Sequence, residues 1–454
     1  MQERAVAQRH DNGKQKSASV EDSEICPCQD GMHLDVDLSR RRMLMSTAAI
    51  AAVPAQLFAS SAIAETKTAP PGAVLYDVPD DPTKVMGRAL LEDGGYGTRS
   101  QFETAVRARA DNPNDMTSWS YTPLADMKGN LTPSGLHYER HHGGIPAIDP
   151  AKHFLYVHGM VDEAKKFSIA DILRLPSITR RYFIECSGNT YDEWAKPKGK
   201  NVQVTHGLLS TSEWTGVPFA TFARHVGLKD DASWVLGEGA DAAVMTRSIP
   251  LDKMLTDGLI AYGQNGEMIR PEQGYPLRLV VPGYEGNMMI KWLRRLQVSD
   301  RPFMTREETG RYTGLMPNGR ARQFYYSMDA KSVITFPSGE MLLPKPGHYE
   351  IRGIAWSGRG RVQAVDISMD GGKNWIPARI DDTPEAMSSV RFSCPWFWDG
   401  KPAILQSRCI EDSGYVQPTR TELIRLRGDH FFYHYNAIQS WAVAADGSVS
   451  NVHV

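Results

Sequence analysis

Three things are scarce in this 454-residue chain: cysteine, net charge and long apolar runs. Five cysteines are too few for a disulfide scaffold at this length. Lys+Arg number 51 against 53 Asp+Glu, a formal net charge of −2. That balance gives no electrostatic reason for a nucleic-acid or acidic-membrane partner. No repeat or low-complexity run is present. There is no G-x-S-x-G elbow, no H-E-x-x-H, no P-loop and no C-x-x-C-H haem attachment. Gly237-Glu-Gly239-Ala-Asp-Ala242 has the letters of a dinucleotide fingerprint. That fingerprint must run straight into a helix, and Val244 to Pro250 does not supply one. His430 and His434 are four apart but sit among Phe431, Phe432, Tyr433 and Tyr435, which reads as histidines satisfied by packing rather than a zinc site. Trp396-Phe-Trp398 reads as packing.

What is present is an ordinary globular composition, 41% hydrophobic and 23% charged, long enough for two or three domains. Residues 1–38 are polar and without periodicity. Ser39-Arg40-Arg41-Arg42-Met43-Leu44-Met45 then precedes a small-residue run to Ala64. Paired arginines before a weakly hydrophobic run indicate a bacterial twin-arginine export signal. Ala62-Ile63-Ala64 is a small-residue cleavage site, so residues 1–64 are expected to be removed, leaving a periplasmic protein with no membrane span. Pro54 and Gln56 argue against a retained anchor. Cys26 and Cys28 leave with the signal. Of the remaining three, Cys394 and Cys409 either pair or are buried apart, which leaves Cys186 odd in an oxidising compartment.

Two domains are expected, 65–325 and 326–454. Residues 65–135, rich in Pro, Gly, Asp and Thr, are expected to wrap the surface. Phe154 to Met160 reads as a strand. Ser168 to Leu175 reads as a short helix with an S-x-x-D box from Ser168 to Asp171, stopped by Pro176. Gly216-Val-Pro218 and Ser248-Ile-Pro250 open two more helices, the second flanked by strand-like runs at 233–236 and 277–281. Short helices mixed with strands, without regular βαβ alternation, give an α+β class. After about residue 330 alternation takes over. Tyr349 to Ile354, Val365 to Met369 before Asp370-Gly371, and Thr421 to Leu426 all read as strands of an immunoglobulin-like β-sandwich. The polar stretch Arg301–Gln323 reads as the linker.

Arg181 to Glu185 reads as a strand broken by Ser187-Gly188-Asn189, which puts Cys186 at a strand end as either a buried structural thiol or a soft ligand. Around it the sequence offers Arg140 and His142 before Gly143-Gly144-Ile145-Pro146, Arg278 on a buried-looking strand, Lys291 beyond it, and Tyr312. Buried cations need an anion, and cations around a thiolate suit a phosphate-bearing metal cofactor.

Glu185-Cys-Ser-Gly-Asn189, Ser210-Thr-Ser-Glu-Trp-Thr-Gly216, Gly274-Tyr-Pro-Leu-Arg-Leu-Val-Val-Pro-Gly283 and Ile290-Lys-Trp-Leu293, in this order, resemble the sulfite oxidase family of molybdopterin enzymes over roughly residues 120–445. The resemblance implies a mixed α+β molybdopterin domain followed by an Ig-like dimerisation domain, with a molybdenum–molybdopterin cofactor, one per chain. By it, Cys186 is the metal's thiolate ligand. His142 to Pro146, Asp241, Gln273, Arg278, Met289, Ile290 and Lys291 match cofactor-holding stretches. By the same resemblance, Arg140 matches the arginine that faces the substrate oxyanion and Tyr312 the tyrosine beside the metal.

Two departures stand out. Gln273 occupies a position where several relatives have histidine. Tyr191 occupies one where sulfite-oxidising relatives carry a second arginine, whose loss weakens capture of a small dianion. With the export signal and no haem domain in this chain, the resemblance is to family members that oxidise sulfane sulfur carried as a cysteine persulfide on a thiol carrier protein. Those members pass electrons to a c-type cytochrome subunit, with two copies of the chain in a heterotetramer. A cytochrome-reducing sulfite dehydrogenase is the rival within the family. A metal-free exported β-sandwich adaptor is the rival outside it, and it leaves Cys186 without a task.

Overall fold

The computed structural model describes residues 114–454 together with Pro71, 99–100 and 102–109. The export-signal region, 1–64, lies outside the described residues. Among the described residues no helix is long and apolar enough to cross a membrane.

The principal elements of the first domain, in chain order, are β1 (Trp119–Tyr121), β2 (Glu139–Arg140), β3 (Phe154–Gly159), β4 (Lys165–Ser168), α1 (Ile169–Leu173), β5 (Ile178–Glu185) and β6 (Leu209–Pro218). Then follow α2 (Phe219–Val226), β7 (Trp234–Gly239), β8 (Thr246–Pro250), α3 (Leu251–Asp257), β9 (Leu259–Gln264), β10 (Arg278–Val280) and β11 (Leu293–Ser299). One sheet runs β4-β3-β11-β7-β8, with only β3 and β11 parallel. A second antiparallel sheet carries β5-β6-β9, with β10 on β9. Leu155, Phe222, Ile249, Leu279 and Leu296, from strands of both sheets and helix α2, meet in one core. That α+β arrangement is the expected class. The short helices form where caps allow. Ser168 and Asp171 exchange side-chain and backbone bonds in a complete capping box at α1. The two prolines expected to open helices stand at the N-caps of α2 and α3.

The second domain is a β-sandwich. Its principal elements are β12 (Lys331–Phe336), β13 (Gly347–Trp356), β14 (Val362–Ser368), β15 (Ser389–Trp398), β16 (Ala403–Glu411), α4 (Arg420–Arg427), β17 (Ser440–Val443) and β18 (Val449–Val452). β12-β13-β15 form one sheet and β14-β16-β17-β18 the other, antiparallel throughout. Their inner faces share Val333, Ile351, Val365, Phe392, Leu405 and Trp441. Phe183 and Leu209, from β5 and β6, join that same core, so the strand leading to Cys186 is anchored in both domains. Cys394 and Cys409 are buried free thiols, not a pair.

Three expectations are corrected. Thr421 to Leu426 is helix, not strand: Thr419 and Glu422 form a second capping box, and a local cap outweighs a short apolar alternation. Arg301–Gln323 is more than a linker, because its one-turn π-helix Glu307–Arg311 has both glutamates 1% exposed. The 114–135 part of the expected surface wrap enters the core, where Leu124 is 2% exposed.

Candidate active site

A cavity of about 380 Å³ opens at the end of β5. Arg140, His142, Cys186, Asp241, Gln273, Arg278, Met289, Ile290, Lys291 and Tyr312 all line it. Gly143, Gly144, Ile145 and Pro146 do not. Gly143 instead packs against Ala242 and Ala243, where a Cβ would come within 2.9 Å of the Ala243 amide.

Cys186 sits where β5 stops. Its amide donates to the Leu208 carbonyl at 3.0 Å, and the Asn189 amide donates back to the Cys186 carbonyl at 2.9 Å. Asn189 is the brace of this turn. Its Nδ2 donates to Glu185 Oε1 (2.9 Å) and the His206 carbonyl (3.1 Å), and its Oδ1 accepts from the Leu208 amide (3.2 Å). Asn287 Nδ2 holds Ser187 Oγ at 3.1 Å. The turn therefore has little freedom to move the thiol. Burial pushes the Cys186 thiol up, against the Gly188 amide and the Arg140 charge, which lower it. Left alone it stays protonated at neutral pH; a metal ion is what would make it a thiolate.

The cations fall into two groups. Arg278 is 4% exposed and has no carboxylate partner among the described residues. Its Nη1 donates to the Gln273 carbonyl and side-chain oxygen (3.2 and 3.0 Å), its face lies 5.2 Å from the Trp214 ring, and its Nε has no hydrogen-bond partner among the described residues. Burial pushes it down to about 10. Among the described residues Lys291 Nζ reaches only the Glu272 carbonyl, at 2.9 Å, and it lies 4.4 Å from the Trp292 ring. Burial, opposed by Glu139 and aided by Arg278, takes it down to about 7. Gln273 is a clamp here: its Nε2 donates to the Tyr138 carbonyl at 2.9 Å while its oxygen takes Arg278. The second group faces Cys186. Arg140 lies 5.2 Å from the Trp119 ring and donates to the Ser118 and His141 carbonyls (3.2 and 2.5 Å). Beside it, burial and then Arg140 hold His142 down at about 3, a neutral imidazole.

Tyr312 closes the site. Burial drives its phenol well above the usual value. Its ring lies 4.8 Å from the Arg247 guanidinium, which is wholly buried between Glu285 and Glu308 at 2.8 Å each.

The sequence reading missed the contribution of the second domain. Phe432 and Tyr433 complete the cavity wall, with Phe432 stacked on Tyr191 (5.0 Å between ring centres) and Tyr433 tilted at 43° against Tyr312 (5.2 Å). The aromatic run 431–433 is the available signal, but from sequence alone it reads as surroundings for His430 and His434. His434 is held by packing and by one ring nitrogen: its Nε2 meets Glu285 at 3.0 Å, while its buried Nδ1 has no hydrogen-bond partner among the described residues. Arg311, Trp119 and Asn287 also line the wall without having been singled out for it.

The donor set tests whether a molybdopterin fits. Among the described residues no group of three or more His, Cys, Asp or Glu could hold a metal ion. A metal beside Cys186 would take one protein sulfur and draw its other ligands from a bound organic group. Buried Arg278 with its unpartnered Nε, and Lys291 with a single carbonyl, supply the unspent positive charge that a phosphate-bearing group needs. The residues fit.

Family comparison agrees. Residues 142–307 match the oxidoreductase molybdopterin binding domain, and 322–440 match the Mo-co oxidoreductase dimerisation domain. The chain belongs to the sulfite oxidase family of molybdopterin oxidoreductases and is a molybdenum enzyme.

Its relatives include sulfite oxidase of Gallus gallus, 32% identical over 350 residues, 69% of this chain and 74% of that protein. The NADH nitrate reductase of Ulva prolifera is 27% identical over 364 residues; these make up 73% of this chain but 41% of the reductase. Among solved structures, the sulfane dehydrogenase SoxCD from Paracoccus pantotrophus matches with a TM-score of 0.80 and 41% identity, over 82% of this chain and 96% of that one.

Proposed function

We propose that this chain is the molybdenum subunit of a sulfane dehydrogenase. It oxidises the terminal sulfur of a cysteine persulfide on a thiol carrier protein to the sulfonate level and passes electrons to a c-type cytochrome subunit. The observation that carries the reading is its 41% identity across 96% of a sulfane dehydrogenase chain. The cavity supports it: where a second substrate-binding cation is expected for a free dianion, the wall offers Tyr191 stacked on the half-exposed Phe432.

The cofactor supplies the two-electron oxidation and oxygen transfer; the chain supplies placement and charge. Cys186 would be its protein ligand. Arg278, Lys291, Gln273 and Asp241 would hold its polar groups, with Met289 and Ile290 against its ring. Arg140, fixed by Trp119 and two carbonyls, would face the oxygens accumulating on the substrate sulfur and balance their charge. Tyr312, kept protonated by burial, would donate a hydrogen bond at the reacting centre. Three rounds add three oxygens from water and release six electrons and six protons per sulfur. We further propose one cofactor and no haem per chain, pairing of two chains through the second domain in a heterotetramer, and twin-arginine export to the periplasm.

Turnover of a persulfide-bearing carrier protein should exceed turnover of free sulfite, with cytochrome c as acceptor in both assays. Faster oxidation of free sulfite would overturn the substrate assignment in favour of a sulfite dehydrogenase.

A further inference from the structure

Glu185, the residue before Cys186, is completely buried, yet it is not satisfied within its own domain alone. Its Oε1 accepts from Lys331 Nζ at 3.0 Å as well as from Asn189, and its Oε2 accepts from Trp356 Nε1 at 2.6 Å. Lys331 starts β12 and Trp356 ends β13, so both donors come from the β-sandwich. Lys331 Nζ also donates to Thr190 Oγ1 at 2.7 Å, and Thr190 has φ of +70°, a left-handed conformation unfavourable to a β-branched residue. One ammonium therefore ties both ends of the turn 185–190, and Cys186 lies inside it. Lys331 is 1% exposed, and Glu185 is its ion-pair partner.

Burying such a pair is costly, and a well-packed apolar pair could hold two domains together at least as well. What apolar packing could not do is fix a carboxylate on one side and a hydroxyl on the other. We propose that Lys331, with Trp356, is a positioning residue for Cys186: the second domain sets the geometry of the thiolate that ligates the metal. This rests on Cys186 being that ligand.

The test uses the full-length, molybdenum-loaded protein as wild type, Lys331→Met, Trp356→Phe and Val365→Ala. Val365 lies in the sandwich core, paired with Cys409 on β16 rather than with any residue of this turn, so its truncation controls for loss of stability. Two readouts are taken: the thiolate-to-molybdenum charge-transfer absorption, and the rate of Cys186 alkylation by iodoacetamide, located by mass spectrometry. Lys331→Met should shift the band and speed alkylation by about tenfold, the order expected when a buried polar group loses a partner. Trp356→Phe should move both the same way by less, and decides alone if Lys331→Met does not fold. Val365→Ala should lower the melting temperature and leave both unchanged. Wild-type band and rate in both turn-facing variants, or equal changes in Val365→Ala, would overturn the proposal. Rapid alkylation of metal-loaded wild type would instead remove the ligand assignment beneath it.

Discussion

Replacing Arg247 with Met tests how the Tyr312 side of the cavity is held up. The guanidinium is wholly buried and bonds Glu285 Oε1 through Nη1 (2.8 Å) and Glu308 through Nε and Nη2 (2.8 and 3.4 Å), while its face supports the Tyr312 ring. Removing one partner of a buried pair costs about 3–5 kcal/mol. Two carboxylates are affected, but Glu285 keeps His434 (3.0 Å) and Glu308 keeps the Ser248 amide (2.9 Å). The loss should therefore be about 3–5 kcal/mol rather than twice that.

It should also depend on pH. Burial pushes the Glu285 carboxyl up, but Arg247 and His434 more than reverse it and hold it below the usual 4.5. A lowered carboxyl stabilises the fold above its unfolded value and loses that contribution as pH falls through the folded one. Without Arg247 that contribution shrinks, so wild type and variant should converge towards low pH. Chemical denaturation at pH 8 and at pH 3, on either side of the usual 4.5, measures both. Arg247→Met/Glu285→Gln/Glu308→Gln should recover part of the deficit, because removing all the charges leaves no orphan. A deficit below about 1 kcal/mol at pH 8, or one undiminished at pH 3, would refute the reasoning.

Lys291, pushed down to about 7 from 10.5, binds fewer protons folded than unfolded between those values. The cofactor-free chain should therefore gain stability with rising pH over that range, by at most about 1.4 kcal/mol per pH unit and less for its partial exposure. Lys291→Met should flatten this part of the stability–pH profile, and identical slopes in the two proteins would count against the placement. Thr419→Ala should remove the cap that accepts from the Glu422 amide at 3.3 Å and cost about 1 kcal/mol; no change in the denaturation midpoint would contradict it.

Much of the site was legible because its signals are local. A β-prone run followed by Ser-Gly-Asn is enough to place Cys186 at a strand end, and the cofactor-side residues fell to a family pattern of contiguous motifs. What was not legible is what joins distant segments. Arg247 meets Glu285 and Glu308, 38 and 61 residues away, and nothing near any of the three announces the others. Lys331 and Glu185 are 146 apart. The same holds for the aromatic wall, since a run such as Phe431-Phe432-Tyr433 looks identical whether it fills its own core or caps a neighbour's cavity. At α4 the local signals conflicted: the mixed polar and apolar run Thr421 to Leu426 suggested a strand, while the Thr419–Glu422 box, also present in the sequence, marked the helix that forms.

The central claim is that the Cys186 sulfur is the protein's bond to the metal. Molybdenum-edge X-ray absorption on purified wild type and Cys186→Ser protein tests it most directly. The account predicts that the variant loses one sulfur scatterer from the metal's first coordination sphere and with it turnover. An unchanged sulfur count in an active, molybdenum-replete Cys186→Ser enzyme would contradict it.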